Sequence, residues 1–275
     1  MSKSRNPSEK AIAGWIKRGL GQGNGIHYLP LFFVRDIPSE GRSAIVEGLK
    51  IKRTHHYLSD IEYAYHVLSE FSDSVSEIRE QYALLPREET LEIAQMLGVQ
   101  HPIYQETGIL RIQTSDLVLT LNNCVEPALH VLCCKAAGDI DPNNPEAART
   151  LEKILIEKVY WERRNVSWTL ATDAMIPKNK FQNLDFFRST VLATELDHLL
   201  PRMPEFLDLF RHNWTPYITL NEMLSIIAER MSFEIDHAFN LLGRALWTKL
   251  LKFDLDASTF AHEHPLPQLL NGCEA

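Results

Sequence analysis

The sequence lacks a long hydrophobic run and has few cysteines. No apolar stretch among its 275 residues approaches the ~20 consecutive residues that cross a bilayer, so no membrane-spanning helix is predicted. Residues 1–7 are polar and contain no apolar signal segment, so we expect no secretion. The cysteines include one adjacent pair, a poor disulfide framework that indicates a reducing compartment. They are Cys124, Cys133, Cys134 and Cys273.

Positive charge is also in short supply. Lys and Arg number 28 against 36 Asp and Glu, for a net charge of −8. Taken alone, this total argues against simple phosphate binding, and it suits a protein that works inside an assembly. The first twenty residues are basic, in contrast to the whole chain, because their only acid is Glu9. A basic amino-terminal arm is typical both of DNA contact and of a solubilising tail. Its basic residues are Lys3, Arg5, Lys10, Lys17 and Arg18.

The hydrophobic content of 45% suits one large or two medium globular domains. The first part of the chain mixes the periodicities of helices and strands, which predicts an α/β domain over residues 1–173. Helices are predicted over 8–20, 59–71, 89–97 and 149–164, with Leu151, Ile154, Leu155 and Val159 on the inner face of the last. Strands are predicted over 28–34, 75–85, 109–121, 125–137 and 166–172.

Residues 174–275 have mostly helical patterns and form a second predicted domain. A linker is expected over 175–180, and Thr219 is expected to cap a helix together with Glu222. The last two helices resemble a helix–turn–helix. This predicts either a winged-helix-like module that binds DNA or protein, or a plain helical bundle. The predicted helices cover 189–199, 203–212, 219–230 and 234–251.

Asp116 and Lys135 are charged residues in otherwise apolar segments. Asp116 lies within the run 112–119, where an unpaired carboxylate would be costly to bury and needs a partner or a metal. If the two strands pair through a turn at Asn122-Asn123, the two side chains meet at one end of the sheet. A structural Asp–Lys ion pair would also explain them.

Glu62 has two readings as well. Ser59-x-x-Glu62 forms a capping box, in which the glutamate bonds back to the Ser59 amide, and this alone would explain the acid. Two acids and a lysine brought together can also hold a hard divalent cation beside a water, as metal-assisted phosphodiester hydrolysis requires. The cysteines lack zinc-ligand spacing and are expected in the core, whereas His55 and His56 are expected at the surface or in turns.

Several short blocks, in order along residues 8–173, resemble the TnsA family, the endonuclease subunit of heteromeric transposases in cut-and-paste bacterial transposons. The carboxy-terminal third resembles this family only loosely. The blocks are Gly21-Gln22-Gly23, Gly41-Arg42-Ser43, His55-His56 with Leu58-Ser59-Asp60 and Glu62, Ile78-Arg79-Glu80-Gln81-Tyr82, Ser115-Asp116, Lys135-Ala136-Ala137 and Thr150-Leu151-Glu152-Lys153.

The resemblance implies a restriction-endonuclease-like core of the PD-(D/E)xK type and a bacterial cytoplasmic protein. Glu62 and Asp116 would bind Mg²⁺, with Mn²⁺ as a substitute, and Lys135 would align or activate the attacking water. The substrate would be double-stranded DNA at transposon ends, cut on the 5′ strands. A TnsB-type transposase would cut and join the 3′ ends, and a TnsC-type ATPase regulator would contact the carboxy-terminal region.

Cys133 departs from the pattern that the resemblance implies. The position two residues before the lysine is usually Glu or Gln in this fold, and a thiol is a poor ligand for Mg²⁺. That corner of the metal site would rest on water or on the backbone carbonyl of Cys134. Cys133 therefore also supports an alternative, a non-catalytic adaptor that links the transposase to the ATPase regulator. A stable α/β protein without such a role is a third reading.

Overall fold

A computed structural model describes residues 6–36, 42–122 and 127–270. Its internal contacts divide the chain into two compact units, Met1–Ile176 and Pro177–Ala275. No helix in the described ranges is long and apolar enough to cross a membrane.

The first unit is a mixed α/β structure built around a four-stranded sheet. Its strands are β1 Ala44–Glu47, β2 Thr54–Tyr57, β3 Val75–Ala83, β4 Thr114–Leu121, β5 Ala128–Lys135 and β6 Ser167–Thr172. Its helices are α1 Glu9–Lys17, α2 Asp60–Phe71, α3 Arg87–Leu97 and α4 Ala147–Glu162. The order β3-β4-β5-β6 is antiparallel except for the parallel β5–β6 pair, which α4 connects. β1 and β2 form a separate antiparallel pair.

Alternating side chains give the main sheet two buried faces. Leu117 and Leu119 of β4 belong to one apolar cluster, against which Ile61 and Tyr65 of α2 pack. Val118, between them, belongs to the opposite cluster, which contains residues of α3 and α4. This alternation is the period of a strand, and it explains why strands buried on both faces are apolar almost throughout. The sheet therefore lies between α2 on one side and α3 with α4 on the other.

Most of the predicted elements of the first unit are confirmed. Ser8 and Ser59 cap α1 and α2 through their side chains, and Gly98 ends α3 in the left-handed conformation. The predicted hairpin turn at Asn122-Asn123 lies partly outside the described residues, because the description stops at Asn122 and resumes at residue 127.

The strand predicted over residues 28–34 is wrong. This segment makes one isolated bridge, Gln22 to Leu29, and packs as a loop against the end of β3. Gly21, at φ 68°, lies so close that a Cβ there would be 2.7 Å from the Ala83 Cβ. The Tyr28 hydroxyl donates to the Glu80 carbonyl at 2.8 Å. Polar anchoring of this loop replaces the expected strand pairing.

The predicted inner face of α4 is also wrong in part. Leu151 and Leu155 are 39% and 42% exposed, whereas Glu157, Tyr160 and Trp161 are buried. Apolar residues occur around most of this helix, so their spacing alone does not select a face. The two large aromatic rings pack in the cluster beneath the sheet and bring Glu157 inside with them.

The second unit is helical, and its described residues contain no strand, only isolated bridges. The winged-helix form therefore stays a prediction. Thr219 and Glu222 form the predicted capping box at the start of the helix Leu220–Met231. The linker expected over 175–180 is wrong from Lys178 onward, because Pro177 suits a helix start and the helix Lys178–Leu192 begins after it. The helices are α5 Lys178–Leu192, α6 Met203–Asn213, α7 Leu220–Met231 and α8 Ile235–Trp247, with a 3-10 segment at Thr194–Arg202.

A test of this packing is the substitution Gly243→Ala in α8. A methyl group there would overlap the Thr190 side chain on α5, whose hydroxyl donates to the Phe187 carbonyl at 2.6 Å. We expect the free energy of unfolding to fall by about 1–3 kcal/mol in urea titrations followed by circular dichroism. Gly14→Ala in α1 is the control, because a Cβ there has nothing within 4 Å and should stabilise by up to about 1 kcal/mol. Equal effects of the two changes would contradict the packing.

Candidate active site

Asp116 and Lys135 meet at one end of the main sheet. Regular backbone pairing of β4 with β5 ends at Leu117. At Asp116, the residue before it, the side chain bonds to β5 in place of the backbone. Asp116 Oδ2 accepts a hydrogen bond from the Cys134 amide at 2.8 Å and one from Lys135 Nζ at 3.0 Å. The Lys135 side chain is 31% exposed and that of Asp116 is 13% exposed. The pair is therefore held by the sheet yet open to solvent on the lysine side.

Glu62 is buried in the first turn of α2. Its carboxylate accepts hydrogen bonds from the Leu58 amide and from the Ser59 hydroxyl, each at 3.0 Å. The Ser59 hydroxyl in turn accepts from the Glu62 amide at 3.2 Å, so the predicted cap is present. The reciprocal bond, however, goes to the amide of Leu58 and not to that of Ser59.

Gln81 lies on β3, the strand next to the one that carries Asp116, and it links Glu62 to the sheet. β3 pairs with β4 on both sides of Gln81, which places it opposite Asp116. Its φ is 48°, an uncommon conformation for a residue with a side chain, especially inside a strand. The amide donates to Glu62 Oε2 at 3.2 Å, and its oxygen accepts from the Thr114 hydroxyl at 3.2 Å. Gln81 thus fixes the Glu62 carboxylate relative to the sheet.

Glu157 is a third acid at this site. It comes from α4 and is 5% exposed, and its Oε1 is buried without a hydrogen-bond partner in the described structure. The Ser115 hydroxyl and the Cys133 thiol make polar contact with its carboxyl group. The feature that identifies Glu157 is its burial beside polar groups, and the spacing of residues in the sequence does not reveal that burial.

Cys133 lies beside an acid, and this bears on the departure noted in the sequence. Its side chain is buried, and burial, followed by the charges of Glu157 and Asp116, raises the pKa of the thiol. The group is therefore neutral, and the oxygen atoms at this corner come from Glu157. The Cys134 carbonyl, expected as a metal ligand, accepts a hydrogen bond from Lys135 Nζ at 2.8 Å.

The charges of these residues are strongly coupled. Burial and then the Asp116 charge raise the pKa of Glu62 to about 7 and that of Glu157 to about 7. Desolvation lowers the pKa of Lys135, but the Asp116 charge and hydrogen bond outweigh it, so the net direction is upward. Lys135 is therefore an ammonium group at neutral pH. The site therefore has three carboxyl groups and a single ammonium group, which cannot neutralise all three.

The donor set fits a hard divalent cation. Among the described residues, no three His, Cys, Asp or Glu side chains are gathered into a ready-made metal cluster. Carboxylate oxygens are nevertheless the ligands that Mg²⁺ prefers, and Glu157 Oε1 is buried with no partner in the described part of the chain. Burial and the Asp116 charge both disfavour a negative charge on Glu62 and Glu157, and an added positive charge at the site would offset both effects.

A buried ion pair supports the strands behind the site. Arg53 donates to both oxygens of Glu80, at 2.9 and 2.6 Å, and His55 Nδ1 lies 3.0 Å from Glu80 Oε2. His55 is 2% exposed, so its expected place at the surface is wrong. The reason is this carboxylate, which supplies the partner that a buried histidine needs. Glu80, the residue before Gln81 in β3, is thus joined to His55 of β2 and to Arg53, which directly precedes β2.

Fold and site together define a mixed α/β protein with an acid–acid–lysine site at the end of its sheet. The family model described as TnsA-like endonuclease N terminal matches residues 72–173, which contain Asp116, Lys135 and Glu157. The Transposon Tn7 transposition protein TnsA of Escherichia coli is 35% identical over 182 residues, which are 66% of this chain and 63% of that protein. The chain belongs to the TnsA family. The match spans less than two thirds of that relative's length.

The raised pKa of Glu157 predicts a pH-dependent effect of Glu157→Gln. The folded protein holds this proton more tightly than the unfolded chain, so ionisation between about pH 5 and pH 8 destabilises the fold. Removing the charge should therefore add about 1–3 kcal/mol more to the free energy of unfolding at pH 8 than at pH 5. Urea titrations in a metal chelator would measure this.

Glu80→Gln is the matched control for Glu157→Gln. Burial raises the pKa of Glu80, but hydrogen bonds from Arg53 and His55 outweigh it and hold the pKa at about 2. Glu80 is therefore ionised at both pH values, and its loss should destabilise the protein at each. An effect of Glu157→Gln that is the same at both pH values would contradict the coupled site.

Proposed function

We propose that this chain is a Mg²⁺-dependent DNA endonuclease subunit of a transposase, and that it cuts the 5′ strands at transposon ends. The observation that carries the proposal is the convergence of Glu62, Asp116 and Glu157 on Lys135 at the end of the sheet. Membership of the TnsA family, and the word endonuclease in the matching family model, support the same reaction. An isolated Asp116–Lys135 ion pair would not require two buried glutamates from α2 and α4 at the same place.

Glu62, Asp116 and Glu157 are the residues that would hold the cation, with Mn²⁺ as a substitute for Mg²⁺. The Cys134 carbonyl, which accepts one hydrogen bond from Lys135 Nζ, would join them through its second lone pair. When bound, the cation would lower the pKa of a water and stabilise the negative charge that develops on the phosphate oxygens. Gln81 would keep Glu62 oriented toward the site through its amide.

Lys135 would act as a cation and hydrogen-bond donor. Its pKa is raised, so the amino group is protonated and cannot accept a proton at neutral pH. Its exposed portion can donate to a phosphate oxygen or to the attacking water, while Asp116 fixes its position at 3.0 Å. Lys135 would thus align the reactants, and the expected products are a 3′-hydroxyl and a 5′-phosphate.

The fold that we propose for the first unit is of the restriction-endonuclease type named PD-(D/E)xK. Its support is the mixed sheet β3-β4-β5-β6, with Asp116 on one antiparallel strand and Lys135 at the end of the next. Glu62 reaches the same point from α2. For the second unit, whose described part is helical, we propose contact with DNA or protein partners.

The partners we propose are double-stranded DNA at transposon ends, a TnsB-type transposase and a TnsC-type ATPase regulator. The net charge of −8 opposes tight DNA binding by the whole chain on its own. A partner that already holds the transposon end would bring the scissile phosphate to the site. Cleavage should accordingly be far more efficient in the assembled complex than with this chain alone.

A non-catalytic adaptor between the transposase and the ATPase regulator is the second candidate function. The neutral, buried Cys133 favours it, because a thiol replaces the oxygen donor usual at that position. Glu157 argues the other way, since it places a carboxylate beside this thiol. A cleavage assay separates the two, because the adaptor would support complex assembly with no cut.

The central test of the nuclease uses Asp116→Asn and Glu62→Gln in the assembled complex on a labelled transposon end. Each change removes a charge that would hold the cation while it preserves side-chain volume. We expect the rate of 5′-strand cleavage in Mg²⁺ to fall by at least about 100-fold, with partner binding retained. Denaturing gels would report the cut strand.

Asp60→Asn is the control for these variants. Asp60 lies in the same first turn of α2, but its side chain is 68% exposed. Cleavage by this variant should be within about twofold of the unmodified chain, because a solvated charge contributes little to the site. Full cleavage by Asp116→Asn and Glu62→Gln would contradict the assignment.

A further inference from the structure

A row of basic side chains leads from the buried acids to the surface along α4. Arg149, Lys153 and Glu157 are four residues apart, so they lie on one face of the helix. Glu157 is buried at the site, Arg149 is half-buried and Lys153 is exposed. The face therefore changes from negative to positive within two helical turns.

Arg111 joins this row from the segment before β4. The neighbouring Gln113 amide donates to the Lys153 carbonyl at 3.3 Å, which ties the segment to α4. The Arg111 guanidinium lies 5.3 Å from the centre of the Tyr104 ring, and Arg149 Nη1 donates to the Gln100 carbonyl at 2.7 Å. We call Arg111, Arg149 and Lys153 the cationic row. Neutral groups therefore hold Arg111 and Arg149 in place, and Glu152 also pairs with Arg149.

The charges of the cationic row affect one another. Desolvation, followed by the charges of Arg149 and Arg111, lowers the pKa of Lys153, and the Lys135 charge acts in the same direction. Glu152 pairs with Arg149, and Glu146 reaches Lys153, but the described residues contain no ion pair for Lys153 or Arg111. Like charges kept together in a chain of net charge −8 favour an anion between them.

We propose that the cationic row binds the phosphate backbone of duplex DNA beside the Asp116–Lys135 pair. This inference rests on the proposed function, because it gives the strand that is to be cut a defined path into the site. Phosphates have no base identity, so the contacts would position the duplex and would not read its sequence. Arg149 and Arg111 can each donate two parallel hydrogen bonds to a phosphate, and Lys153 adds a mobile charge.

The test is fluorescence anisotropy of a labelled duplex that has no transposon sequence, titrated with the full chain in a chelator. Salt would be varied from about 20 to 200 mM. We expect Lys153→Gln and Arg111→Gln each to weaken binding at least about threefold at the lowest salt. Each should also reduce the slope of log affinity against log salt by about 0.9, the value for one lost phosphate contact. Lys153→Arg should retain both.

Lys158→Gln is the matched control on the same helix. Lys158 is exposed, directly follows Glu157 in the sequence, and therefore lies on the side of the helix away from the cationic row, where it pairs with Glu162 at 3.7 Å. It loses the same charge as Lys153→Gln and should leave the slope unchanged. Equal slopes for the two variants, or no binding by the unmodified chain at the lowest salt, would overturn the proposal.

The cleavage assay distinguishes a failure of this inference from a failure of the proposed function. If Asp116→Asn abolishes cleavage while Lys153→Gln binds DNA normally, the nuclease assignment stands and the cationic row is not its DNA path. If Asp116→Asn cleaves fully while Lys153→Gln loses a phosphate contact, the row binds DNA and the hydrolytic role is wrong.

Discussion

The site depends on one largely buried carboxylate, that of Asp116, at the end of a strand pair. Asp116 Oδ2 accepts from the Cys134 amide and from Lys135 Nζ, so one oxygen both completes the β4–β5 pairing and holds the lysine. Because a buried charge that loses its partner is costly, the two strands and the lysine position one another. The Asp116 charge also acts on Glu62 and Glu157, which connects α2 and α4 to the same point.

Local pattern predicted much of the fold, because the signals involved are local. A serine before an apolar helical face predicts the start of α2, and apolar segments of suitable length predict β4 and β5. The pairing of those two strands was enough to bring Asp116 and Lys135 together. The loop around Tyr28 was mistaken for a strand, because its apolar residues pack against β3 through contacts distant in sequence.

The parts of the site that sequence pattern missed are those set by tertiary contacts. The left-handed conformation of Gln81 leaves no trace in periodicity, yet it lies opposite Asp116 and aims its amide at Glu62. Glu157 was hidden because Leu151 and Leu155 suggested a different inner face for α4. The buried face of α4 places Glu157 beside Cys133. This part of the site therefore has an oxygen donor although residue 133 is a cysteine. The acid comes from a helix rather than from the strand.

The central claim is that these acids form a site for a divalent cation. It is tested most directly by a crystal structure of the full chain with Mn²⁺, in which anomalous scattering locates the metal. We expect a peak within about 2.5 Å of carboxylate oxygens of Asp116 and of Glu62 or Glu157, and its loss in Asp116→Asn. Diffraction that shows no peak among these three acids, while Lys135 keeps its contact with Asp116, would contradict the account and leave a structural ion pair.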